Sequence, residues 1–140
     1  MAAYATLADL LARAGEDEIL QVADRDGDGA ADQDVIASAI AAAESEINGY
    51  IGARYRLPLS TIPDLVTTWA VSIARYHLHR DGAPEHVARD WKSAMDGLRD
   101  VARSLVSLPV SDGAQPSADD AGRVILVKQR PAWGGFGGFL

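Results

Sequence analysis

Ile36, Ile40, Ala43, Ile47 and Ile51 recur at spacings of three and four residues, which lines one side of an α-helix and cannot be produced by the two-residue alternation of a strand. The stretch predicts a long helix beginning near Asp32 and lasting to about Tyr55. Ala fills much of the rest of it, so that another helix, from the same chain or a neighbouring subunit, can approach closely.

Proline and glycine place the remaining elements around this helix. Thr6, with Asp9 three residues on, has the form of a helix start, and Gly15 offers the stop. A second short helix is expected from Glu16 to about Val22, with three acids in its first turn and Ile19, Leu20 and Val22 as buried contacts. Pro58 and Pro63 must break the long helix, because each lacks an N–H and pushes the preceding residue towards extended geometry. Pro63 suits the first turn of a fourth helix carrying Leu65, Val66, Trp69, Ile73 and Tyr76 on one stripe and ending at Asp81–Gly82. After Pro84 a fifth helix presents Val87, Trp91, Met95, Leu98, Ala102 and Leu105, and the short break makes helices four and five an antiparallel hairpin. The fold class expected is mostly α: a bundle of about five helices with a long central helix, occupying residues 1–108.

Residues 109–140 have a different character. Ser111 to Gly122 is a linker by composition, rich in Ser, Asp, Gly, Ala and Pro with no hydrophobic period. Val124, Ile125, Leu126 and Val127 then read as one short β-strand, which needs a partner from elsewhere. Trp133, Phe136 and Phe139 follow on a glycine-rich background, a composition poor at folding alone and suited to docking in a groove. These seven residues are the expected partner-binding segment of an extended C-terminal docking tail.

Charge and residue inventory exclude several function classes. With a formal charge of −7 and an isoelectric point near 4.8, the chain repels phosphate, which opposes tight binding to nucleic acid or anionic membranes. The 140 residues include no cysteine, which removes disulfides, thiolate metal sites and cysteine nucleophiles together and fits a reducing compartment. No apolar run approaches the roughly 20 residues that span a bilayer, and no signal peptide is expected.

The one motif with chemical content is the loop Asp24–Asp32, which matches positions 1, 3, 5, 6 and 9 of the EF-hand calcium loop through Asp24, Asp26, Asp28, Gly29 and Asp32. Position 7 would contribute the Ala30 carbonyl. Position 12, where a bidentate Glu normally closes the shell, is Val35, and Asp34 could replace it only if the following helix starts at a different angle. The competing reading makes Asp32 a helix cap and the other acids a solvated turn. Other chemistry finds less support: His77 and His79 point to different faces of a helix, no serine has a base at a fitting spacing, and carboxylate pairs such as Glu44 and Glu46 suit a solvated face. Arg54, Arg56, Arg75 and Arg80 could form a DNA-reading patch, although ion pairing with the many acids is the expectation the net charge favours. No catalytic residue is expected, and no cofactor beyond a candidate Ca²⁺.

The order of motifs resembles a known family. Tyr4–Leu10, the loop Ala23–Ala30, the segment Ile47–Leu59 and the run Ile73–Leu78 together are similar to the Mu-like prophage gp36 family, over about residues 3–108. The resemblance implies a head-tail connector or adaptor that links the phage head to the tail. By analogy it would be a homo-oligomeric ring of twelve subunits between the portal protein and a downstream tail or stopper protein. It would be assembled in the bacterial host cytoplasm and located at the virion neck. It implies no catalytic residue. An acidic channel wall would let DNA pass without adhesion. A calcium-binding helical interaction module using Asp24–Asp32 is the alternative reading.

Overall fold

A computed structural model describes residues 3–110 of the chain. Five helices follow one another: α1 (Leu7–Ala14), α2 (Glu16–Ala23), α3 (Gln33–Ile51), α4 (Asp64–Leu78) and α5 (Glu85–Ala102). No strand occurs among the described residues, and the expected strand Val124–Val127 and the aromatics Trp133, Phe136 and Phe139 lie outside them.

Local chemistry explains most boundaries. The Thr6 hydroxyl accepts from the Asp9 N–H at 3.3 Å while the Asp9 carboxylate accepts from the Thr6 N–H at 2.9 Å, a reciprocal cap that stabilises the first turn of α1 by about 1 kcal/mol. Helix α2 has no side-chain cap, but Glu16, Asp17 and Glu18 place negative charge at its positive end. Pro63 and Pro84 each stand one residue ahead of α4 and α5, at the N-cap rather than inside the first turn.

Three helices end earlier than periodicity suggested. Helix α3 stops at Ile51, where the Arg54 and Tyr55 N–H groups both turn back onto the Ile51 carbonyl. Helix α4 stops at Leu78, before the expected Asp81–Gly82. Helix α5 stops at Ala102: Ser104 adopts a φ of 69°, and the Leu105 N–H folds back to the Asp100 carbonyl. Leu105 is consequently 70% exposed instead of buried.

Helices α3, α4 and α5 pack against one another, and α1 closes over α4. The α4–α5 hairpin is antiparallel: Trp69, early in α4, lies against Gly97, late in α5, while Tyr76, late in α4, stacks on Trp91 with ring centroids 4.4 Å apart. A Cβ on Gly97 would come within 2.7 Å of the Trp69 ring, so the indole sits where only glycine leaves room.

Helix α3 is the longest element, yet α4 is the most enclosed, with an unbroken buried run from Trp69 to Arg75. An amphipathic stripe covers only part of that run; its other side is covered by α1 and α5. Leu65, expected on the stripe, and Leu20, expected to be buried in α2, are each 38% exposed, and Ala39 takes the buried place expected of the half-buried Ile40.

The core closes beyond the last helix. Leu108 is 5% exposed, its N–H donates to the Tyr55 hydroxyl at 2.8 Å, and Val106 and Val110 pack on the same cluster.

Candidate functional sites: an aspartate loop and a polar seam

Between α2 and α3 the chain wraps around its own carboxylates. Asp24 accepts from the N–H groups of Gly27, Asp28 and Gly29 at 2.9, 3.1 and 2.9 Å. Asp26 accepts from Asp28 and Asp28 from Ala30. Gly29, at the sharp turn, has a φ of 85°, a conformation that side chains disfavour. The loop is held at its base, where the Asp32 N–H reaches the Ala23 carbonyl and the Asp32 carboxylate accepts from the Arg25 N–H, both at 2.9 Å.

This wrapping brings one carboxylate oxygen from each of Asp24, Asp26, Asp28 and Asp32 within 4.8 Å of the others. Oxygens on opposite sides of a calcium ion, at 2.3–2.6 Å each, stand about 5 Å apart, so the donor set has the dimensions of a Ca²⁺ shell. The Gly29 N–H bond, with help from Asp26 and two further N–H groups, holds the Asp24 carboxyl below the usual range. Asp26 goes the other way: its bond from the Asp28 N–H favours the charged form, but hydrogen bonding with Asp24 and the Asp28 charge outweigh it. Crowded carboxylates of this kind are relieved by a bound cation.

Asp32 stands at the N-cap of α3, but its side chain does not cap the helix; it turns back to Arg25 instead. Val35, at the closing position of the loop, is half-buried and packs on the core. Asp34 is exposed on the first turn of α3 and stands outside the converging set of four.

In a second polar assembly Arg75 makes the ion pair expected of it, with partners that the sequence did not identify. Glu18 of α2 receives Arg75 Nε at 2.6 Å and Nη2 at 2.7 Å, and His79 Nε2 lies 3.1 Å from the same carboxylate. His86 Nε2 lies 3.4 Å from Arg75 Nη2, so residues before and after the α4–α5 turn meet at one guanidinium. Arg75 and, more weakly, His79 hold the Glu18 carboxyl down from its ordinary 4.5 to about 2, against the opposing effect of burial. His77 faces the other way and lies 2.6 Å from Glu46 of α3. The two histidines do occupy different faces, each against a carboxylate. The one local signal for this seam was a charged residue, Arg75, inside the apolar stretch of α4.

The arginines do not assemble a DNA-reading patch. Arg54 is 8% exposed with Nη1 donating to the Val101 carbonyl at 3.1 Å, and Arg75 is 7% exposed and paired to Glu18. Only Arg56 and Arg80 of the four face solvent. No helix among the described residues is long and apolar enough to cross a membrane.

Comparison with known proteins agrees with this arrangement of motifs. The chain is 29% identical over 103 residues to the Mu-like prophage FluMu protein gp36 of Haemophilus influenzae, covering 74% of this chain and 72% of the relative. It is 28% identical over 120 residues to gene product J of Escherichia phage Mu, covering 84% of this chain and 85% of the relative. The family described as Bacteriophage Mu, Gp36 matches residues 4–126, reaching past the helical body into the apolar run that begins at Val124. With the match spanning most of its length, the chain belongs to the Bacteriophage Mu Gp36 family.

Proposed function

We propose that this phage-family protein is a structural virion component, a head-tail connector that binds the portal as a homo-oligomeric ring and joins it to a tail or stopper protein. Family membership carries the reading. A physical observation supports it: among the described residues the core reaches past α5 to Leu108 and Val110, where the composition changes to that of a linker. By sequence, Val124–Val127, Trp133, Phe136 and Phe139 carry apolar and aromatic side chains of the kind that dock on a neighbour. The body's acidic balance also suits a wall past which DNA moves, since like charge disfavours phosphate contact. Electron microscopy of the protein mixed with its portal tests the proposal. Ring-shaped density on the portal is expected; bare portals at saturating protein would overturn it.

A second reading rests on the four converging carboxylates: the loop binds Ca²⁺ through Asp24, Asp26, Asp28, the Ala30 carbonyl and Asp32, and braces the α2–α3 junction. Without a bidentate Glu at the closing position, the affinity belongs with the weak class of about 10⁻⁴–10⁻³ M. Calorimetry with Ca²⁺ should give saturable heat that Asp26→Asn and Asp28→Asn reduce; no heat at millimolar Ca²⁺ would remove this reading.

A further inference from the structure

We propose that the groove between α1, α2 and the aspartate loop receives the C-terminal segment, residues 123–140, of a neighbouring copy, an inference that rests on the ring-forming reading above. The groove encloses about 350 Å³, a volume at the lower end of sites that hold organic ligands. Leu7, Leu11, Leu20 and Ala31 line it, and Glu16 and Asp17 supply its charge, with no Lys, Arg or His in the lining. Leu20 is 38% exposed there, an apolar side chain on a helix that could have placed it inward.

The sequence of the proposed occupant complements this surface. From Arg123 to Leu140 the side chains include Arg123, Lys128 and Arg130 and no Asp or Glu, while Val124–Val127 and the three aromatics supply apolar surface. By contrast, residues 1–50 hold eleven acids against Arg13 and Arg25. Cations flanking apolar side chains therefore meet an apolar floor with an acidic rim. A second apolar depression, between α3 and α4, is larger at about 470 Å³, but Arg25 stands beside Asp34 in its lining, so it lacks the purely acidic rim of the first. Because the described residues contain no strand, a side-chain groove is a better seat on this body than an added sheet edge.

Distance favours a neighbour over the chain's own groove. The groove adjoins the start of α3, whereas Leu108 is fastened to Tyr55 just beyond its other end, and 19 helical residues rise roughly 28 Å. Coil statistics for a segment of this Ser-, Gly- and Pro-containing composition give Val110 to Arg123 a root-mean-square span of about 20 Å. Docking at home would hold that linker stretched, while a neighbouring copy can present its groove nearer.

Photo-cross-linking of the full-length chain tests this. A benzophenone side chain replaces Glu16, and equal amounts of ¹⁵N-labelled and unlabelled protein are mixed at high concentration and irradiated. Cross-links from position 16 to residues 123–140 that join labelled with unlabelled peptides are expected. Leu20→Glu and the triple change Arg123→Glu, Lys128→Glu, Arg130→Glu should each lower their yield at least tenfold with helix content unchanged. Cross-links confined to one copy, cross-links that avoid residues 123–140, or a yield indifferent to both variants would each overturn the proposal. Portal mixing keeps the two readings apart: cross-links without portal rings would remove the connector reading and leave this contact standing, and rings without cross-links would do the reverse.

Discussion

Glu18 grips Arg75 through two guanidinium nitrogens, 2.6 and 2.7 Å away, and so fastens α2 to the most enclosed helix of the bundle. Since the folded state lowers the Glu18 pKa from 4.5 to about 2, the pair stabilises the fold fully above pH 4.5 and loses that contribution as pH falls towards 2. Glu18→Gln should cost about 1–3 kcal/mol at neutral pH, because it leaves the Arg75 charge without its counter-ion in a buried position. Urea unfolding at several pH values should show the gap between wild type and variant closing between about pH 5 and 2. A gap of constant size would contradict this assignment.

Gly97 presents the opposite kind of constraint, one of space. Alanine would raise the intrinsic helix preference of α5 by about 1 kcal/mol, but its methyl would strike the Trp69 ring at 2.7–3.0 Å. Overpacking against a buried indole costs about 1–3 kcal/mol, so Gly97→Ala should be destabilising on balance, with a fall in Tm of several degrees and altered Trp fluorescence. A higher Tm would mean that the ring moves aside freely.

Arg25 ties two helix ends together. Its Nε donates to the Val22 carbonyl at 2.9 Å and its Nη2 to the Leu78 carbonyl at 3.1 Å, placing one cation at the negative ends of both α2 and α4. Arg25→Met should cost about 1–2 kcal/mol by chemical denaturation. Arg25→Lys should recover only part of this, because an ammonium lacks the planar fork that reaches two carbonyls at once.

Removing residues 111–140 should leave the circular dichroism of the body intact and its Tm within about 2 °C, since Leu108 and Val110 still close the core. Ending the chain after Ser104 instead deletes the Leu108 contact with Tyr55 and the packing of Val106, and should cost about 2–4 kcal/mol. Equal stability of the two truncations would show that this last segment adds nothing.

The features legible in the sequence are those whose partners lie close along the chain. The helical period, the Thr6–Asp9 cap, the proline breaks and the aspartate loop all depend on contacts between residues a few positions apart. The same locality explains the overrun at Tyr55 and Leu105: periodicity continues past a helix end, whereas backbone turns onto Ile51 and Asp100 terminate it.

The sequence by itself determined that residues 3–110 form helices, where prolines must break them, and which acids share a loop, because backbone preference and short-range hydrogen bonding act within one turn or two. Only the tertiary structure decided that α4, rather than the longer α3, is the enclosed helix. It alone brought Arg75 to Glu18 across 57 residues, Arg25 to the Leu78 carbonyl across 53, and Trp69 to Gly97. Amphipathicity tells a helix which side to bury, but what covers that side, and which charge is waiting there, depends on how separate helices pack against one another.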